Sequence, residues 1–182
     1  MFHQVPVLPV VAPLAAATSA VLLGLLHRRA RLTPPRAAVA LALCVYAAGV
    51  VANTVFPIYL DKPAREGAWN AHLQLVPIVG YELDDALINV GVFVPLGILV
   101  ALVLAQPSWL RVTVVVAGLS LTIEVVQLVT AHRLGGGHVA DVNDLLFNVA
   151  GGVLGLALLR TLERVPRLAD LVDRFRWHAP PD

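Results

Sequence analysis

Five stretches of about 20 mostly apolar residues constrain this chain more than any other feature. They cover residues 8–26, 37–57, 86–105, 112–131 and 145–162. Each is long enough to cross the hydrocarbon layer of a bilayer, which takes roughly 20 residues of helix. Only 14% of the residues are charged, against about 25% in an ordinary soluble domain. The sequence therefore predicts a single domain of 182 residues that is all-α, a polytopic transmembrane bundle of about five helices.

The first apolar stretch has the length of a secretory signal peptide, and "AAATSA" offers small residues near a cleavage point. The residues before it, "MFHQVPV", carry no lysine or arginine, and apolar sequence continues through "VLLGLL". A signal peptide normally has a positively charged start. We therefore expect this stretch to be a retained helix.

Lysine and arginine are distributed unequally between the two ends of the predicted helices. One end carries four arginines in "HRRARLTPPR", Arg111, and five more from Arg160 at the end of the last helix onward, whereas the other carries Lys62, Arg65 and Arg133. Cytoplasmic loops collect these residues, so we expect the N-terminus outside and the C-terminus in the cytoplasm. The cytoplasmic tail, residues 163–182, contains "RLADLVDRFRW", which favours an amphipathic helix on the inner membrane surface or a plain cytosolic helix.

Polar side chains inside the predicted spans gather near the extracytoplasmic end of the bundle. Because successive helices run in opposite directions, these residues fall at a similar depth: Asn53, Asn89, Glu124, Gln127, Asp141, Asp144 and Asn148. We expect them to form one polar cluster.

Helical spacing supports such a cluster. Ser120, Glu124 and Gln127 are separated by four and three residues and so share a helix face, and the aspartates and asparagine of the fifth span are spaced similarly. An ionised carboxylate at mid-membrane costs at least ~2.5–3.5 kcal/mol. Glu124 must therefore face the bundle or a wet cavity, pair with a cation, or carry a proton.

Arg133 is the cation nearest to Glu124 in sequence. Nine residues of helix separate them by about 13.5 Å, too far for direct pairing along one helix. If "LGGGH" turns the chain back, Arg133 meets Asp141 or Asp144 instead. It then either closes the loop as a salt bridge or stays free to hold an anionic ligand group.

Gly151 and Gly155 form a GxxxG pattern in the fifth span. Such a pair lets another helix approach closely, which serves helix packing alone or also brings polar faces together.

The remaining patterns argue against several classes of protein. His138 could join the aspartates and Glu124 around a hard metal ion, but no spacing is diagnostic, so we predict no metal and no cofactor. The chain has no GxSxG, HExxH, P-loop or CxxC pattern. The single cysteine, Cys44, excludes an internal disulfide. A net charge of +1 argues against a nucleic-acid partner.

The sequence around these polar residues resembles that of the VanZ-like family of bacterial membrane proteins, which is named for a teicoplanin-resistance accessory protein. The resemblance rests on "NTVFP" (53–57), "LQLVP" (73–77), "NVGVFVPLG" (89–97), "IEVVQ" (123–127), Arg133 and "DVNDLLFNVAGGVLG" (141–155). The chain departs from the family pattern in four ways. Gln74 stands in place of an asparagine and Ile78 in place of an aromatic residue. Asn143 replaces a frequent second aspartate, and "LGGGHVA" lengthens the segment after Arg133.

The resemblance implies a multi-pass protein of the bacterial cytoplasmic membrane with a role in the cell envelope. For the namesake of the family it implies lower susceptibility to a lipoglycopeptide antibiotic, but it supplies no reaction. Teicoplanin resistance does not transfer to this chain on resemblance alone.

Three hypotheses for function follow. In the first, an outward polar pocket binds a lipid-linked cell-wall precursor, another envelope headgroup or a glycopeptide, with membrane lipids as further partners. Its ligand-binding residues would be Asn53, Asn89, Glu124, Gln127, Arg133, Asp141, Asp144 and Asn148. In the second, an intramembrane hydrolase uses Glu124 or Asp144 as general acid–base, although the lack of an obvious nucleophile disfavours an enzyme. In the third, the cluster only joins helices in a structural scaffold.

Overall fold

The computed structural model describes residues 3–61, 73–78, 80–133 and 139–178, and this part of the chain is mainly helical. Its six helices are α1 (Val7–Arg28), α2 (Pro34–Thr54), α3 (Leu83–Val103), α4 (Trp109–Arg133), α5 (Val142–Leu162) and α6 (Pro166–Phe175). The first five are long and apolar enough to cross a membrane, with mean hydropathy between 1.8 and 2.5 over 18 residues. The predicted all-helical bundle with five candidate spans is confirmed, and each of the five helices overlaps its predicted stretch.

Local sequence explains where several helices begin. Pro34 and Pro166 open α2 and α6, because a first-turn proline has no N–H that would need a partner and its fixed φ suits a helix. The Ser108 hydroxyl accepts from the backbone N–H three residues later, at the start of α4. Asp141 caps α5 by accepting from the backbone N–H of Asn143.

Helices α3 and α5 pack with their backbones almost in contact. A β-carbon built on Gly155 would collide with the carbonyl oxygen of Val94, and one on Gly151 would collide with the carbonyl oxygen of Val90. The close helix approach predicted from the GxxxG pattern is confirmed, and α3 is the helix that approaches.

The apolar core lies in the arginine-rich half of the bundle, built from the first halves of α2 and α4 and the second halves of α3 and α5. Its buried members are Val39, Phe93, Leu96, Val100, Ala101, Leu102, Val112, Val116, Leu156 and Leu159. Helix α6 covers this end, because Val172 and Phe175 pack against the core and the backbone N–H of Trp177 donates to the Leu102 carbonyl at 3.0 Å. Part of the apolar face of α6 therefore contacts the bundle itself. The sequence predicts either a helix on the membrane surface or a plain cytosolic helix, and neither prediction includes this packing.

Two short strands connect the segment between α2 and α3 to the start of α5, at the end of the bundle away from α6. Strand β1 (Leu73–Gln74) pairs in parallel with β2 (Ala140–Asp141), which directly precedes α5. The Ile78 N–H donates to Asn143 Oδ1 at 2.7 Å. The segment between α2 and α3 is thus attached to the start of α5. Its residues 62–72 and 79, and the predicted metal candidate His138, lie outside the described residues.

Candidate functional site

A cavity of about 800 Å³ lies between α2, α3, α4 and α5, in the half of the bundle away from the apolar core. An adjoining cavity of about 410 Å³ shares several of its residues and reaches Tyr81 and Asp141 near the loops. We call the two together the polar cleft. The polar residues that line the larger cavity are Tyr46, Asn53, Thr54, Asp85, Asn89, Glu124, Gln127, Asp144 and Asn148. The structure thus brings most of the predicted cluster to one place.

Glu124 joins α4 to the start of α5. Its side chain is buried, with the residue only 7% exposed, and Oε2 accepts from the backbone N–H of Asp141 at 2.9 Å. No lysine, arginine or histidine is present among the described residues that line the polar cleft. Among the described residues, the bundle therefore stabilises the Glu124 side chain by a hydrogen bond from a backbone N–H and not by an ion pair.

Asp144 lies at the centre of a hydrogen-bonded triangle at the mouth of the cleft. Its Oδ1 accepts from the Tyr81 hydroxyl at 2.5 Å and from Asn89 Nδ2 at 2.6 Å, and the same Asn89 nitrogen lies 2.6 Å from the Tyr81 oxygen. The Tyr81 ring stacks on Phe147 with the ring centroids 5.3 Å apart. The triangle fixes the segment before α3 onto α5.

Tyr81 is a residue of the candidate site that the sequence patterns did not predict. Burial raises the pKa of its hydroxyl, and the hydrogen bond to Asp144 raises that pKa further. The phenol therefore stays protonated and acts as a hydrogen-bond donor. No spacing rule could have revealed this contact, because Tyr81 precedes α3 in an irregular segment.

Three buried polar atoms of residues that line the cleft have no hydrogen-bond partner among the described residues. They are the Tyr46 hydroxyl, Gln127 Oε1 and Asn148 Oδ1, whereas Asn148 Nδ2 donates to Ser120 Oγ at 3.0 Å. Most buried polar atoms in proteins are paired, and an unpaired one costs roughly 1–3 kcal/mol. Three residues that line the cleft therefore carry polar atoms that no described residue satisfies.

Tyr46 was also missed by the sequence reasoning, although here a signal exists. Tyr46, Gly49 and Asn53 are separated by three and four residues and share one face of α2, the face that lines the cleft. Asn53 itself donates to the Gly49 carbonyl at 2.8 Å. Extending the face of Asn53 back by two helical turns would have found the tyrosine.

The structure does not bring Arg133 to the aspartates. Arg133 is exposed at the end of α4, lines neither cavity and forms no ion pair with any described residue. Asp141 instead accepts from the N–H and from Nδ2 of Asn143, both at 2.8 Å. Asp144 accepts from Tyr81 and Asn89. Both aspartates therefore have hydrogen-bond partners other than Arg133.

The side of the cleft between α2 and α3 is apolar and open. Val45, Ile88 and Val92 line the cavity and are nevertheless 72%, 61% and 43% exposed. The polar interior is therefore continuous with the apolar outer surface of the helices.

A comparison with known protein families matches most of the chain. The family model described as VanZ/LLP1 matches residues 39–163, more than half of the chain. The chain belongs to the VanZ/LLP1 family. The VanZ/LLP1 match begins at residue 39 within α2 and ends just after α5, and thus includes α3, α4, α5 and most of α2, which line the polar cleft, but not α6. No curated protein and no solved structure matches the chain.

Two of the departures from the VanZ-like pattern contact each other. Asn143 is fully buried and its Oδ1 accepts from the backbone N–H of Ile78. Gln74, a further departure, pairs with Asp141 in the short sheet. These three residues therefore lie where the loops meet the start of α5, beside the cleft rather than inside it.

Proposed function

We propose that the polar cleft binds the headgroup of a lipid-linked or other cell-envelope molecule at the outer face of the bacterial cytoplasmic membrane. The observation that carries the proposal is the set of unpaired polar atoms in the cleft walls, on Tyr46, Gln127 and Asn148. The open apolar side supports it further, because an attached lipid chain could remain outside the bundle while its headgroup lies inside.

The charges of the cleft indicate what kind of headgroup it would bind. Asp85, Glu124 and Asp144 line it without a cation among the described lining residues, and the unpaired amide oxygens add further acceptors. Such a site favours a ligand rich in hydrogen-bond donors, either hydroxyl groups or an ammonium group. Arg133 does not line the cleft and so cannot balance a bare phosphate there. Sugar, amino-sugar or peptide parts of an envelope precursor meet this requirement, as does a glycopeptide.

The proposed outward position of the cleft rests on the arginine distribution. The opposite end of the bundle carries most of the arginines, and that end is expected in the cytoplasm. The N-terminus is then outside and α6 is inside.

A reporter fused after Asp182 is expected to be active only as a cytoplasmic reporter, and one inserted beside Arg65 only as an extracytoplasmic reporter. Paired phosphatase and fluorescent-protein fusions measure this directly. Reversed activities would place the cleft in the cytoplasm and end the proposal of an extracytoplasmic ligand.

Glu124→Gln is expected to weaken binding of a donor-rich headgroup about tenfold or more while the protein still folds. The amide can accept from the Asp141 N–H as the carboxylate does, so the helix contact survives. Hydrogen bonds to a charged group contribute roughly 1–2 kcal/mol more than neutral ones, and about 1.4 kcal/mol corresponds to tenfold in affinity. The measurement is the thermal shift of purified protein with amino sugars, peptidoglycan fragments and lipid-linked precursors.

Glu82→Gln is the matched control, because Glu82 is exposed and lines neither cavity. Unchanged ligand binding by a correctly folded Glu124→Gln protein would favour the scaffold hypothesis instead. Glycopeptide susceptibility of cells carrying each variant provides a second readout.

A hydrolase remains the second candidate, favoured by the unlike surroundings of two carboxylates. Glu124 accepts from a backbone N–H, whereas Asp144 accepts from a phenol and an amide. Carboxyl groups in different environments suit the roles of acid and base. Product release from a bound precursor by the wild-type protein, and its loss in Glu124→Gln, would distinguish catalysis from binding.

A further inference from the structure

A separate cavity of about 780 Å³ lies at the arginine-rich end of the bundle, and it shares no lining residue with the polar cleft. The segment between α3 and α4, the start of α4, the end of α5 and the region of α6 form its walls. We call it the basic pocket, and its charged lining residues are Arg111, Arg160, Glu163, Asp173 and Arg176.

The guanidinium groups of the basic pocket outnumber its carboxylates. Glu163 pairs with both Arg160 and Arg176, and Arg176 also pairs with Asp173 at 3.1 Å. Arg111 has no carboxylate partner among the described residues. Two arginines thus share the two acids while Arg111 is left over, and the pocket carries excess positive charge.

The contacts of Arg111 leave it able to bind an anion. Its Nη1 donates to the carbonyl oxygen and to Oε1 of Gln106, at 3.0 and 2.8 Å, and both acceptors are neutral. Arg160 also lines the pocket and its side chain is 39% exposed, while its guanidinium donates to Glu163 and to the carbonyl oxygen of Pro107. A guanidinium has five donors in a planar fork that fits phosphate oxygens.

The start of α4 adds to the attraction for an anion. Ser108 and Leu110, on either side of the first residue of this 25-residue helix, line the basic pocket. The N-terminus of a helix carries partial positive charge and exposed N–H groups. Helix orientation and arginine side chains therefore favour the same kind of ligand.

The rim of the basic pocket is suited to the boundary between water and hydrocarbon. Trp109 and Leu110 are 51% and 73% exposed at the end of a helix long enough to cross a membrane. Tryptophan typically lies at the headgroup level. We propose that the basic pocket binds the phosphate of an anionic phospholipid, with Arg111 as the principal contact and the acyl chains lying along Trp109 and Leu110. Basic pockets between transmembrane helices are a known setting for such headgroups.

The test measures the melting temperature of the full chain in nanodiscs that contain increasing fractions of phosphatidylglycerol in phosphatidylcholine. The wild-type protein is expected to be stabilised as the anionic lipid increases. Arg111→Gln should need about tenfold more phosphatidylglycerol for half of the effect, the cost of one charge-assisted contact. Arg167→Gln is the control, because it removes one exposed arginine that does not line the pocket.

Three results would overturn the proposal. No response to phosphatidylglycerol means that no site for the lipid exists. Equal losses in Arg111→Gln and Arg167→Gln mean that only the general positive charge of this face matters. The same stabilisation by inorganic phosphate in purely zwitterionic nanodiscs means that the ligand is a free anion. None of these depends on the polar cleft, so this proposal and the proposed function fail or succeed separately.

Discussion

Gly155→Val is expected to destabilise the folded bundle by about 3 kcal/mol, the upper range for overpacking. The added side chain would meet the carbonyl oxygen of Val94 and the backbone nitrogen of Ile98. Both are backbone atoms of α3, so no side-chain rotation can make room. Helices α3 and α5 would have to separate, which would also widen the polar cleft between them.

The midpoint of unfolding in mixed detergent, followed by loss of helical circular dichroism, measures this effect. Gly118→Val is the matched control, because a β-carbon at Gly118 meets nothing within 4 Å and the residue is exposed on α4. A Gly155→Val protein as stable as this control would show that α3 and α5 are not packed backbone to backbone.

Asp144→Leu is expected to cost about 3 kcal/mol of stability, because hydrogen bonds to a charged group contribute roughly 1.5–3 kcal/mol. The substitution removes the acceptor shared by Tyr81 and Asn89. The Tyr81 hydroxyl then loses its acceptor, and Asn89 Nδ2 keeps only the Tyr81 oxygen. It also removes one of the carboxylates of the polar cleft. Binding of a donor-rich headgroup should therefore be lost together with the stability.

Unfolding and thermal-shift measurements on the same protein separate the two effects. Asp84→Leu serves as the control, since Asp84 is exposed in the first turn of α3 and lines neither cavity. Tyr81→Phe should lose only the two hydrogen bonds of the hydroxyl, to Asp144 and from Asn89, with the stack on Phe147 retained. Wild-type stability in Asp144→Leu would argue that the triangle does not hold the segment before α3.

The helices and much of the cleft were predictable because membrane-spanning sequence obeys strict rules. Apolar length gives the spans, and alternating helix direction then places polar residues of different helices at one depth. Helical spacing assigns Glu124 and Gln127 to one face, and both line the cleft. The glycine pattern gave the tightest helix contact, because only glycine permits such close backbones.

The unpredicted contacts all involve irregular segments or distant parts of the chain. Tyr81 reaches Asp144 across 63 positions of sequence, and Ile78 reaches Asn143 across 65. Periodicity carries no information about such pairs. The docking of α6 on the core was missed for a related reason, since an apolar helix face looks the same whether it covers a membrane or a protein.

The open side of the cleft between α2 and α3 determines how a lipid-linked ligand would travel. Val45 and Ile88 form part of the cavity wall and part of the outer surface. A headgroup could slide in sideways while its chain stays among the neighbouring lipids, which avoids the ~0.8 kcal/mol for each CH₂ drawn into water. The ligand would then reach the cleft by lateral diffusion in the bilayer. Ligands with the same headgroup but different chain lengths would bind with similar affinity.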